Sequence, residues 1–250
     1  MTARPPRILI IAGSDSSGGA GIQADIKTVT MLGGYAMTAI TAVTAQNTRG
    51  VTGVEVLSPD FVAAQMDACM MDIGVDAVKF GMLGSADIAE VVADRLEDLP
   101  VPIVFDPVMV ATSGSSLADE ATIAVFDWLM DLATITTPNV AELAALGGVT
   151  ALEARDLTFL AKGGDAEGPE VTDVLHRAGQ VPVAWTDPRL ATRHTHGTGC
   201  TLASAIATLL AQGLPLEQAV AEARQFVRRA LEAAPGFGSG AGPMGHQAVR

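Results

Sequence analysis

Seven consecutive residues, Thr195-His196-Gly197-Thr198-Gly199-Cys200-Thr201, gather two glycines, three hydroxyls, an imidazole and a thiol. Leu202, Ala205, Ile206 and Leu209 follow at helical spacing, which predicts a helix of roughly four turns starting at or just before Cys200. The two glycines then lie on the turn that opens this helix. Glycine lets a backbone approach a ligand closely, and the first helical turn leaves N–H groups unpaired and pointing outward. With the helix dipole, these groups form a seat for an anion, most naturally a phosphate. A thiol on the rim of that seat would be pushed toward thiolate. The same spacing also suits a tight glycine turn before an ordinary core helix, with Cys200 as a small buried residue. Both readings stand at this point.

A scaffold must bring such a turn against a substrate, and the rest of the chain reads as one. Residues 8–12 form a short apolar run ended by Gly13, as expected of a buried parallel strand. A loop of small residues spans 13–21, and a helix from near Ile22 carries Ile26, Val29 and Leu32 on one face. Strand-like runs cover 36–45 and 51–57, and Ser58-Pro59 supplies an N-cap with proline at the first helical position. Val62, Met66, Cys69, Met70 and Ile73 form one stripe, which places Cys69 in the core. Strands over 77–80, 103–105, 134–137 and 157–161 alternate with helices over 86–97, 119–131 and 139–146. Edge strands near 171–175 and 181–185 suit antiparallel pairing. The last helix opens at Pro215 and turns Val220, Ala223, Val227, Ala230 and Leu231 inward, and the glycine-rich residues 235–250 read as loop or partly disordered tail. No repeat or linker divides the chain, so a single domain over 1–250 is expected. The alternation predicts an α/β fold whose mostly parallel sheet is covered on both faces. Asp106, Asn139 and Lys162 fall where strands end and helices begin, the edge at which open α/β sheets bind ligands.

Composition narrows the partners. A net charge of −13 over 250 residues makes nucleic acid and anionic membrane poor partners. Two cysteines far apart in sequence suggest neither a disulfide framework nor a zinc site. No apolar run is long enough to span a bilayer, so a soluble, cytoplasmic protein is expected. The loop after the first strand invites two nucleotide-binding readings, and both fail. It lacks the Gly-Lys-Ser/Thr ending of a P-loop. Gly19-x-Gly21-x-x-Ala24 matches the loose dinucleotide fingerprint, but no acidic residue occurs between Asp25 and Glu55 to hold a ribose.

The ordered motifs carry a resemblance. Ala12-Gly13-Ser14-Asp15-Ser16-Ser17-Gly18-Gly19-Ala20-Gly21-Ile22-Gln23-Ala24-Asp25-Ile26-Lys27-Thr28 resembles the N-terminal signature of hydroxymethylpyrimidine/phosphomethylpyrimidine kinases. Thr44-Ala45-Gln46-Asn47-Thr48, Gly81-Met82-Leu83, Asp106-Pro107-Val108-Met109, Thr137-Pro138-Asn139 and the 195–201 run resemble its later motifs, in the same order and over nearly the whole chain. The resemblance implies a ribokinase-like three-layer α/β/α fold. It also implies an ATP-dependent kinase of thiamin biosynthesis that phosphorylates 4-amino-5-hydroxymethyl-2-methylpyrimidine and then its monophosphate. Magnesium, a monovalent cation and a homodimeric or higher homo-oligomeric state are implied with it.

Individual roles follow from the same resemblance. Gln46, with one amide donor and one acceptor facing a ring nitrogen beside an exocyclic amine, would read the pyrimidine. Gly13 and Met82 would contact the ring, and Asp25 would touch the substrate's polar end. Asn139 and Glu142 match a motif that holds magnesium near the nucleotide phosphates, largely through water; Asn139 after proline is also an ordinary helix cap. Asp106 is a second acidic residue close to metal and phosphates, and Lys162 and Thr195 border ATP. Gly197, Thr198, Gly199 and Cys200 are the catalytic set, with Cys200 where most of the superfamily carries an aspartate base.

Two departures from the family pattern stand out. Residues 147–161 look one helix shorter than in relatives, and Asp165 replaces the usual histidine after Gly163-Gly164. The alternatives are a pyridoxal kinase of the same superfamily and a non-catalytic pyrimidine-binding relative. Cys200 and Gln46 favour the pyrimidine kinase.

Overall fold

The computed structural model describes residues 4–110 and 117–249. In chain order the elements are β1 (Arg7–Asp15), α1 (Gly21–Met31), β2 (Tyr35–Asn47), β3 (Gly50–Val56), α2 (Pro59–Ala68) running into a π turn (Cys69–Ile73), β4 (Ala77–Phe80), α3 (Ala86–Leu96), β5 (Ile103–Phe105), α4 (Glu120–Leu132), β6 (Ile135–Thr136), α5 (Val140–Ala145), α6 (Gly148–Glu153), β7 (Phe159–Ala161), β8 (Glu170–His176), β9 (Val183–Pro188), α7 (Thr198–Ala211), α8 (Leu216–Glu232) and a 3-10 turn (His246–Ala248). Among the described residues one nine-stranded sheet runs in the order β3-β2-β1-β4-β5-β6-β7-β8-β9. The strands from β2 to β7 in that order pair in parallel, and β3, β8 and β9 add antiparallel edges.

The apolar run in β1 explains why it lies at the centre. Successive side chains of a strand point to opposite faces, so Ile8, Ile10 and Ala12 pack on one side with α1, α7 and α8, while Leu9 and Ile11 pack on the other with α2, α3 and α4. Only a strand covered on both faces can be apolar at every position, and these five residues are almost wholly buried. On α3 the inward positions are Ile88, Ala89, Val92, Ala93 and Leu96, a helical stripe closed at its start by Ser85, whose hydroxyl accepts the Ile88 N–H. Burying Ile88, Val92 and Leu96 contributes roughly 1.5–3 kcal/mol each, as an upper bound. Ser58 caps α2 in the same way, with Pro59 at the first position. Cys69 packs against the α2 side of the core. The edge strands β8 and β9 are antiparallel, as expected.

Four local features differ from the pattern reading. β1 continues through Gly13 to Asp15, with a register shift between Ala12 and Ser14. On α1 the apolar Ile26 is exposed and the charged Asp25 is buried, because Asp25 has partners inside that Ile26 could not serve. A short helix, α6, fills the segment after α5. The glycine-rich end follows an irregular path but is not loose: Met244, His246 and Val249 are buried, and Met244 and Val249 cluster with Phe226 and Ala230 of α8. No helix among the described residues is long and apolar enough to cross a membrane.

Candidate active site

α7 is buried along Thr201 to Leu209, which fixes the position of its N-terminus at the carboxyl edge of the parallel strands. Gly197 caps it with φ +84, and a Cβ there would lie 2.0 Å from the carbonyl oxygen of Gly19. Only glycine meets both demands. Thr198 Oγ donates to Thr195 O at 2.9 Å, closing the turn. The leading N–H groups of α7 therefore open where the Gly13–Gly21 loop and the α7 turn touch.

Two lysines flank this turn. Lys162, just beyond β7, donates to Asp106 Oδ1 at 2.8 Å and lies 4.0 Å from Glu142 Oε2. A Cβ at Gly199 would lie 3.2 Å from Lys162 Nζ and 3.3 Å from Asp106 Oδ2, so both side chains border the glycine turn. Burial works against the Lys162 charge, but Asp106 and Glu142 outweigh it and raise the ammonium pKa. Lys79, in β4, is fully buried and pairs with Asp25 at 2.9 Å, and Asp25 also accepts the Ser204 hydroxyl at 2.6 Å. Burial again opposes the charge, while Asp25, Cys200 and Asp106 raise the Lys79 pKa. Asp25 is 0% exposed and occupied by protein donors, so it braces α1 against β4 and α7 and has no open face toward a ligand.

Cys200 lies within electrostatic reach of both lysines. It sits in the first turn of α7, where the helix N-terminus favours a thiolate, and the Gly21 backbone adds a minor pull in the same direction. Burial nevertheless dominates and pushes the thiol up to about 11, against the pull of Lys79. The sequence expectation of a lowered pKa is thus reversed: desolvation outweighs the helix N-terminus.

The neighbouring end of the site is built by β1 and β2. A Cβ at Gly13 would meet Met82 Sδ at 2.8 Å, so the thioether lies flat on the bare backbone. Gln46, near the end of β2, accepts from Thr44 Oγ at 3.1 Å, and its Nε2 lies 3.3 Å from His196 Nε2. His196 in turn lies 2.9 Å from Asp15 Oδ2. Burial raises the Asp15 pKa, but bonds from His196, the Ser17 hydroxyl and the Ser17 and Ala20 backbone hold it at about 2. Gln46 is thereby joined to the residue preceding Gly197, which connects the end of β2 to the glycine turn at the head of α7.

Asn139 and Glu142 form a reciprocal capping box at the start of α5: Asn139 Oδ1 accepts the Glu142 N–H, and Glu142 Oε2 accepts the Asn139 N–H. The capping role of Asn139 is thus realised, and it aims Glu142 at Lys162. Burial and the charge of Asp106 raise Glu142 to about 7, with Lys162 opposing. Among the described residues no cluster of three or more His, Cys, Asp and Glu side chains could enclose a metal. Two crowded carboxylates do suit magnesium, which keeps most of its ligands as water and phosphate oxygens. Thr195 contributes its carbonyl to the α7 turn. The site thus brings Asp106, Glu142, Lys162, Gly197, Thr198, Gly199 and Cys200 together, with Gln46, Gly13 and Met82 adjoining and Asp25 behind.

Pattern reading passed over Lys79, Asp15 and His196. Lys79 carried a usable signal, because a charge inside a four-residue strand buried on both faces requires an internal partner. Asp15 and His196 lie within the motifs that carry the resemblance, but their contact spans 181 residues of chain and leaves no local trace.

A sequence model of the family described as phosphomethylpyrimidine kinase matches residues 15–245. The chain is 46% identical over 255 residues to a hydroxymethylpyrimidine/phosphomethylpyrimidine kinase of Rhizobium meliloti, covering 95% of this chain and 96% of that one. It is 43% identical to the thiamine biosynthesis bifunctional protein ThiED of Geobacter sulfurreducens, covering 96% of this chain but spanning about half (52%) of that longer protein. In backbone it is similar to an ADP complex of Bacillus subtilis pyridoxal kinase, with a TM-score of 0.88, 32% identity and 99% of each chain covered. The fold is ribokinase-like, the chemistry is phosphoryl transfer, and the chain belongs to the phosphomethylpyrimidine kinase family.

Proposed function

We propose that this protein uses ATP to phosphorylate 4-amino-5-hydroxymethyl-2-methylpyrimidine and then its monophosphate. The observation that carries this reading is the junction of Gln46 with His196. It sets a donor–acceptor amide suited to an aminopyrimidine next to the glycine turn at the head of α7. Acidic Asp106 and Glu142 and basic Lys162 line the other side of that turn, where the phosphates of a nucleotide need both a metal and a cation.

The substrate oxygen attacks the γ-phosphorus in line, and positioning with charge neutralisation supplies most of the catalysis. The N–H groups at the start of α7 face the transferring phosphoryl group, and Lys162 adds positive charge beside them. Asp106 and Glu142 would hold magnesium through its waters, and the ion supplies further charge neutralisation on the phosphates. Cys200 lines the seat as a neutral thiol, since a loose transition state asks little of a base. Gly13 and Met82, packed on each other, offer one joint surface for the ring. The protein acts in the cytoplasm as a homodimer or higher homo-oligomer, a state supported by the exposed Val43, Val54 and Val56 on β2 and β3. A monovalent cation is proposed as a second ion.

A pyridine alcohol is the competing acceptor, favoured by the backbone likeness to pyridoxal kinase. A coupled ADP-release assay run in parallel on the pyrimidine alcohol, its monophosphate and pyridoxal separates the readings. Turnover of both pyrimidines supports the proposal. Turnover of pyridoxal alone refutes it, and turnover of none favours a binding protein.

A further inference from the structure

The chain from 163 to 170 follows Lys162 and joins β7 to β8. It contains Gly163, Gly164 and Gly168, and residues 164–170 are all exposed, so no apolar burial holds it in shape. A single side chain from the far end of β9 does so instead. Arg189 Nε donates to Gly168 O at 2.8 Å, Nη1 to Gly164 O at 2.7 Å, and Nη2 to the carbonyls of Ala166 and Glu170. Four carbonyls of one loop converge on one planar fork, a geometry that guanidinium supplies and ammonium cannot.

A second device fixes the start of the loop. Gly163 N–H donates to Asp173 Oδ1 at 2.8 Å, and Asp173 Oδ2 accepts from Arg224 Nε at 2.7 Å. Arg224, reaching from α8, also meets Asp187 Oδ2 at 3.0 Å and Trp185 O at 3.2 Å, so it ties both edge strands to the loop. Asp173 and Arg224 are 7% and 9% exposed. Gly163 is pressed so close to β8 that a Cβ would lie 2.0 Å from Thr172 O. One residue earlier, Lys162 reaches Asp106 and the Gly199 turn.

We propose that Arg189 and the Asp173–Arg224 pair are positioning residues for the phosphate donor: they shape the 163–170 loop so that Lys162 is held against the head of α7. The proposal rests on the assignment of that turn to nucleotide phosphates. Strand pairing alone would stabilise the sheet edge, yet three of the four Arg189 bonds go to loop carbonyls and the fourth to Glu170, where β8 starts.

The test separates the KM for ATP from the KM for the pyrimidine alcohol, with thermal unfolding as a check on folding. Arg189→Met should raise the ATP KM about tenfold and leave the alcohol KM within twofold, and Arg189→Lys should rescue only part of this. Asp173→Asn, which keeps an acceptor for Gly163, should fall between wild type and Asp173→Ala. An unchanged ATP KM in folded Arg189→Met overturns the proposal, whatever happens to its melting temperature. If Arg189→Met does not fold, Arg189→Lys decides, with a rise of threefold or more expected and no rise refuting the role. Should wild type turn over no pyrimidine, the functional reading fails by itself. Equilibrium binding of a non-hydrolysable ATP analogue then tests the positioning role, with the same tenfold loss expected in Arg189→Met and equal affinity refuting it.

Discussion

At the scale of single residues, Cys200 shows how burial overrides a motif. Its place in the first turn of α7 suggests a thiolate, yet the thiol is pushed up to about 11. Alkylation of Cys200 by iodoacetamide, followed by mass spectrometry against the second cysteine, should therefore be slow at pH 7 and accelerate through pH 9–11. Cys200→Ser should hold kcat within about tenfold, whereas a true general base would cost about a hundredfold or more. Asp15 illustrates the opposite case. Its folded pKa of about 2 lies below the ordinary 3.8, so its stabilisation is fully present above pH 3.8 and is lost as pH falls through 2. Urea unfolding between pH 4 and 2 should show wild type losing stability more steeply than Asp15→Asn, by of order 1 kcal/mol. Residue types in the motifs were legible because chemistry limits what glycine, lysine and glutamine can do. The pairing of Lys79 with Asp25 was not, since 54 residues separate them and only folding brings them together.

At the scale of elements, the start of α7 was readable to within two residues because glycine marks it. Gly197→Ala adds a Cβ 2.0 Å from Gly19 O at a positive φ, so either the α1 loop or the turn must move. kcat/KM for ATP should fall about a hundredfold or more, while the melting temperature drops by only a few degrees. Equal loss of both substrates' binding with intact kcat would place the turn's role elsewhere. The face of α1 was misread because an inward position was assumed to be apolar, and Asp25 occupies it by virtue of Lys79 and Ser204. The short α6 lacked any periodic stripe long enough to register; Leu152 is its buried residue.

At the scale of the molecule, the layered sheet was legible from alternation alone, since parallel strands covered on both faces must be apolar throughout. The end of the chain was not, because its glycines suggest looseness and its few anchors are spread out. His246, kept neutral by burial that lowers it to about 4, meets Thr201 Oγ at 2.8 Å, and Gly242 O accepts the His196 N–H. Removing residues 240–250 should cost about 3–5 kcal/mol from Met244, Val249 and the His246 bond. That corresponds to a fall in melting temperature on the order of 10 °C by calorimetry, and no change would mean that the end contributes nothing. Side-chain and backbone contacts bring this end, the 13–21 loop, the end of β2 and the head of α7 together, and in the proposed function this junction would seat first an alcohol and then its phosphate monoester. The most direct measurement is the ADP released per molecule of limiting pyrimidine alcohol under excess ATP, with the product identified by 31P NMR. Two ADP per pyrimidine and a diphosphate product are predicted. One ADP with a monophosphate that accumulates unchanged, or none at all, would contradict the account.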